Sequence, residues 1–108
     1  MRRLGIIIDV AHSSDQTVRD VLALIDAPVF ISHGGTVSHC PRSSNRNLPD
    51  DILKEIAARG GILGVGYFDG AICDISPKGI ARAIIDACLL YTSPSPRDLS
   101  TSRMPSSA

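Results

Sequence analysis

Two histidines, His12 and His33, each follow closely on a short apolar, β-branched run, and neutral imidazole is the commonest side-chain ligand of zinc. Held by rigid strand ends, two such rings would supply half of a tetrahedral or five-coordinate metal site. Their separation of 21 residues is that of one strand and helix repeat, so spacing alone is weak evidence and leaves helix capping or ordinary loop packing open. Asp9, at the end of the first run, could orient a histidine, cap the helix or form a salt bridge. Arg42 and Arg46 lie in the polar stretch after the second run. Guanidinium grips a carboxylate through paired bonds, and Arg46, just before a helix start, has the better-anchored backbone; a plain surface charge stays open for both. His39 shares that stretch, has no strand to fix it, and is expected in solvent. Gly34-Gly35 is followed by neither a helix start nor a lysine, which argues against a phosphate-binding loop.

The elements that must position these residues are legible from the pattern. Leu4 to Val10 and Pro28 to Ser32 are too short for helices and read as buried parallel strands, each with a histidine at its C-terminal end. Between them Ser13 to Ile25 reads as a helix, with Ser13 and Gln16 as a capping box and Val18, Val21, Leu22 and Ile25 as its apolar stripe. Both imidazoles then leave the same edge of a parallel sheet, where α/β folds and barrels carry their chemistry. Gly34-Gly35 allows a sharp turn into a long polar loop from Thr36 to Arg46. Asn47 is expected to cap a second helix, with Pro49, Asp50 and Asp51 in its first turn, Ile52, Leu53, Ile56 and Ala57 inward, and Gly60-Gly61 as its stop. Ile62 to Tyr67 is a third strand and Phe68 to Ile75 a loop. Ser76-Pro77 opens a last helix with Ile80, Ala83, Ile84 and Ala87 inward. Three strands, each followed by a helix and without closure, suggest a piece of a larger α/β array.

The chain has 108 residues, 44% hydrophobic and 20% charged, with a formal net charge of zero, which gives no footprint for nucleic acid. No apolar run reaches the roughly 18 residues of a membrane span. Met1-Arg2-Arg3 mimics a signal-peptide start, but Asp9 and His12 break the run behind it. Cys40, Cys73 and Cys88 have no short paired spacing, so neither a zinc ribbon nor a disulfide framework is expected, which favours a reducing, cytoplasmic compartment. Composition breaks near Cys88, and the tail carries three of the seven prolines with no structural period. Residues 88–108 resemble translated sequencing adaptor, with a disordered Ser/Pro linker as the alternative, and only residues 1–87 are used to infer the fold.

Ile8-Asp9-Val10-Ala11-His12-Ser13-Ser14, then Ile31-Ser32-His33, then Asn45-Arg46-Asn47-Leu48-Pro49-Asp50-Asp51 resemble the membrane dipeptidase (renal dipeptidase, peptidase M19) family. The likeness runs from about Leu4 through Ala87 and includes Gly66-Tyr67-Phe68-Asp69-Gly70. It implies part of a (β/α)8 TIM barrel of the metal-dependent hydrolase type, about three βα units long. It also implies two zinc ions, bridged by a carboxylate and a water or hydroxide, in a complete active site. By motif match His12 and His33 would be ligands of one zinc, and Arg46 would bind the C-terminal carboxylate of a dipeptide substrate. The family's His-x-Asp pair and bridging glutamate would lie upstream of Met1 and its proton-handling aspartate beyond Ala87, which leaves no catalytic residue in this chain.

The resulting expectation is a fragment of a zinc dipeptidase, inactive by itself, whose parent cleaves dipeptides by attack of a metal-bridged hydroxide and is open to oligomerisation. Two alternatives stand beside it: another metal-dependent amidohydrolase on the same barrel, and a small doubly wound binding module without catalysis. Three strands of eight would leave open edges and an uncovered apolar face, so the fragment is expected to be unstable or aggregated in solution.

Overall fold

The computed structural model describes residues 2–41 and 47–91. After a 3-10 turn at Arg2–Leu4 the first apolar run is extended, but it joins the sheet at a single parallel bridge, Asp9 to Phe30. Phe30 N–H donates to Ile8 O and Val10 N–H to Phe30 O, both at 2.9 Å. The alignment is that of the expected strand, while the regular ladder is missing. Nothing among the described residues pairs with the run's outer edge, and Leu4 and Ile7 are 79% and 70% exposed.

Helix α1 is Asp15–Leu24, and its N-cap is Ser14, one residue later than expected. Ser13 is taken up by a turn in which its N–H donates to Val10 O, so Ser14 Oγ is left to accept from Thr17 N–H at 3.1 Å. Gln16 does not close a capping box; it donates to Asp20 one turn on. Val18 and Leu22 are buried, with Val21 and Ile25 packed at the margin of the core.

Strand β1 is Phe30–Thr36, and it passes straight through Gly34-Gly35, where a turn was expected. Gly35 serves close approach: a Cβ there would collide with Ala71 O and press on the Asn47 side chain. Strand β2, Asn47–Leu48, pairs with Gly35 and Thr36 of β1, so Asn47 is a strand residue and the N-cap of helix α2, Asp50–Ala58, is Pro49. Ile52, Leu53 and Ile56 are buried as the pattern requires, and Gly60 at φ +78° ends the helix. Strand β3 is Ile62–Val65, shorter than expected. The following stretch holds one turn of helix α3, Asp69–Ile72, before helix α4, Pro77–Tyr91, which Ser76 caps by accepting from Gly79 N–H. Ala83 and Ala87 face inward, but Ile84 is 37% exposed, in a groove with Leu63, Val65 and Tyr91 that no described element fills.

The sheet is parallel throughout, in the order β2-β1-β3. Its main core joins Val10, Val18, Leu22, Val29, Ile31, Leu48, Ile52, Leu53 and Ile56, which locks α1 and α2 to the strands that carry the histidines. A smaller cluster of Ala71, Ile72 and Ala83 seats α3 against α4.

Candidate metal centre and its frame

His33 lies inside β1, directly before the expected turn, and its aim comes from an irregularity in the ladder. Ile31 pairs with Leu63 and Gly34 with Val65, so β1 spends one more residue than β3 across Ser32-His33. Such a bulge re-aims a side chain. Gly64 makes room for it, since a Cβ there would collide with Ser32 O. His12 reaches the same place from the first segment by a left-handed backbone, φ +66°.

Asp9 joins the two segments. Its Oδ1 accepts from Ala11 N–H at 2.9 Å and from Ser32 N–H at 3.1 Å. Partial desolvation pushes the Asp9 carboxyl up, but hydrogen bonds from the Ser32 hydroxyl and from the Ala11 and Ser32 amides, with His33 nearby, outweigh it and hold the group below its usual value. The role is that of a backbone tie, neither a helix cap nor a salt bridge. The result is convergence: the Nε2 atoms of His12 and His33 are 2.8 Å apart, with ring centroids 4.8 Å apart and planes inclined at 59°. The other nitrogen of His33, Nδ1, is 3.0 Å from Ser32 Oγ, and Phe68 lies beside the ring at 6.3 Å between centroids.

This geometry fits two ligands of a zinc ion. Two nitrogens bound at 2.0–2.1 Å in a tetrahedral sphere lie about 3.3 Å apart, a small opening from what is seen. If His33 Nδ1–H donates to Ser32 Oγ, the Nε2 lone pair is free for a metal. Among the described residues no group of three or more His, Cys, Asp or Glu side chains is placed to hold a metal, so the pair is part of a site.

The neighbouring residues depart from expectation. His39 is 13% exposed at its side chain, with Nδ1 2.6 Å from Asp86 Oδ2 and its N–H on Thr36 Oγ1. The partner is 47 residues away on α4, beyond any local pattern. Cys40 and Cys73 form a disulfide across 33 residues, which corrects the expectation of unbridged cysteines. A bridge closing a long loop leaves no short spacing to read, and the argument for a reducing compartment loses its premise. Asn47, expected as a cap, is 2% exposed and donates through Nδ2 to Cys40 O at 2.8 Å and Ala71 O at 3.1 Å. A polar residue bounded by Arg46 and Leu48 gave no sequence signal for that burial. Arg42 and Arg46 lie outside the described residues.

No described helix is long and apolar enough to cross a membrane. The fold is similar to that of a dipeptidase AC, a metallopeptidase of family M19, at 26% identity and a TM-score of 0.72, covering 82% of this chain and 27% of that one. An amidohydrolase from Pseudomonas aeruginosa matches at 30% identity and 0.73, covering 84% and 28%. A metallopeptidase from Rhodobacter sphaeroides, liganded with a phosphinate mimic of the dipeptide L-Ala-D-Ala, shares the fold at 24% identity and 0.74, covering 82% and 27%. The chain thus spans little more than a quarter of the length of these solved relatives, as an α/β part of their TIM-barrel architecture. The model of the membrane dipeptidase family matches residues 1–92, and the chain belongs to that family, peptidase family M19.

Proposed function

We propose that this chain is the part of a zinc-dependent dipeptidase in which His12 and His33 hold one of two zinc ions and Arg46 binds the free carboxylate of a dipeptide. The observation that carries the reading is the 2.8 Å approach of the two Nε2 atoms, made by segments 21 residues apart in a family of metallopeptidases. Zinc, when bound, supplies Lewis-acid polarisation of the scissile carbonyl and activation of water. The chain's own residues supply the frame. Asp9 fixes both backbones, Ser32 sets the tautomer of His33, and Arg46 selects substrates short enough to present a terminal carboxylate. The similarity to an amidohydrolase favours a second reading, the same zinc pair acting on another amide, in which Arg46 has no carboxylate to bind.

Zinc titration of the chain, followed by calorimetry and by the imidazole NMR signals, tests the metal assignment. The wild type should bind one ion and lose it in both His12→Ala and His33→Ala; equal binding by wild type and the double variant would overturn the assignment. In the longer protein that carries this segment, Arg46→Ala should raise KM for dipeptides about 10- to 100-fold, the loss of a charge-assisted hydrogen bond pair, and leave amides without a free carboxylate unaffected. The chain by itself should show no dipeptide turnover.

A further inference from the structure

Asp9 gathers the residue in front of each histidine: its Oδ1 accepts from the amide of Ala11, which precedes His12, and from the amide of Ser32, which precedes His33. The same carboxylate takes the Ser32 hydroxyl as a donor. That third bond fixes the direction of the next one. A serine hydroxyl has a single proton, so a hydroxyl that donates to Asp9 can meet His33 Nδ1, 3.0 Å away, only as an acceptor. His33 must then carry its proton on Nδ1, and the nitrogen left with a lone pair is Nε2, the one that faces His12 Nε2. Two features of the fold bring the three groups into line. The bridge between Asp9 and Phe30 sets the carboxylate beside β1, and the irregularity in the β1–β3 ladder falls at Ser32-His33.

We propose that Asp9 is a positioning residue which, through the Ser32 hydroxyl, selects the tautomer of His33 and so presents Nε2 as a metal ligand. This rests on the reading of His33 as a zinc ligand. The three groups form a relay of carboxylate, hydroxyl and imidazole that crosses from the first segment to β1. An imidazole that gives its Nδ1 proton toward a carboxylate is also the stronger donor through Nε2. Without the carboxylate the hydroxyl turns and donates to Nδ1 instead. The imidazole proton then passes, by exchange with water, to Nε2 and blocks the lone pair that a metal would use.

The experiment locates the His33 proton from its imidazole nitrogen shifts, in histidine-labelled chain sedimented under magic-angle spinning, in mildly alkaline buffer without zinc. Wild type should hold the proton on Nδ1. Asp9→Asn keeps an oxygen for the two amides and removes the charge, and it should move the tautomer ratio toward Nε2–H by about fivefold, the factor for one ordinary hydrogen bond. Ser32→Ala, which leaves both amide bonds in place, should shift the ratio likewise, and Ser32→Thr, which restores a hydroxyl, should return it. Adding Asp9→Asn to Ser32→Ala should change nothing more, because Asp9 acts through that hydroxyl. Exchange of the Ala11 and Ser32 amides reports the backbone tie separately. If Asp9→Asn speeds those amides but leaves the proton on Nδ1, Asp9 is a backbone tie alone and the proposal is overturned. A wild-type proton on Nε2, or a further shift in the double variant, would overturn it too. Calorimetry with zinc should show Asp9→Asn binding about 10-fold more weakly than wild type. Intact tautomer selection without zinc binding would refute the metal assignment, whereas zinc binding without selection would refute the relay.

Discussion

At the scale of single residues, the proposed metal centre depends as much on absent side chains as on the imidazoles. Gly64 has no Cβ, Ser32 O occupies the space, and the bulge that aims His33 exists because it can. Gly64→Ala should therefore destabilise the chain by about 1–3 kcal/mol through overpacking, seen as a lower urea midpoint. It should also weaken zinc binding although no ligand is touched. The convergence of the two histidines was legible in the sequence because each follows directly on an apolar run, which is a local signal. The bulge was not, since it is a mismatch between two strands whose paired residues, Ile31 with Leu63 and Gly34 with Val65, are far apart in sequence. His39 and Asn47 were misread for the same reason: their partners, Asp86 and Ala71, come from elements that only the tertiary fold brings near.

At the scale of elements, stripes were read well and boundaries poorly. Val18, Leu22, Ile52, Leu53, Ile56, Ala83 and Ala87 are inward because burial follows the helical period, which a sequence displays directly. Caps moved by one or two residues where a turn, as at Ser13, or a strand, as at Asn47, claimed the expected residue. The start of α4 was placed correctly, and its chemistry carries a pH dependence. Asp74 accepts from Ser76 N–H at 3.0 Å; that backbone bond, and then the Ser76 hydroxyl, hold its carboxyl below the ordinary 3.8. A depressed carboxyl stabilises the fold above its unfolded value, and that contribution is lost as pH falls through the folded value, below 3.8. Acidification into that range should fray the first turn of α4, read from the Gly79 amide, and Asp74→Asn should remove the pH dependence of this local step.

At the scale of the whole molecule, the parallel sheet has unpaired outer edges among its described residues. Beneath the sheet an apolar groove of about 390 Å³ is lined by Ile6, Ile7, Pro28, Phe30 and Ile62. Ile62 is 60% exposed at the edge strand β3. In relatives about three times as long, more chain is available to cover such surfaces. In this chain they should promote edge-to-edge association, so the mass measured by light scattering should rise with concentration, and Ile62→Lys should suppress the rise. A concentration-independent monomer would contradict this. Parallel direction was visible from the sequence, as was incompleteness; that the first run would pair at a single bridge and that Asn47–Leu48 would form a strand were not, because both depend on which edges find partners.

The left-handed backbone of His12 has an evolutionary corollary. A non-glycine residue at φ +66° bears a local cost of about 1–2 kcal/mol, and glycine is the side chain that would relieve it. Selection for stability alone would thus replace this histidine, and His12→Gly should leave the apo chain as stable or more so while abolishing zinc binding. Were the proposed zinc role relaxed in a descendant of this lineage, position 12 is where drift toward glycine or asparagine should surface first, before any change in the core.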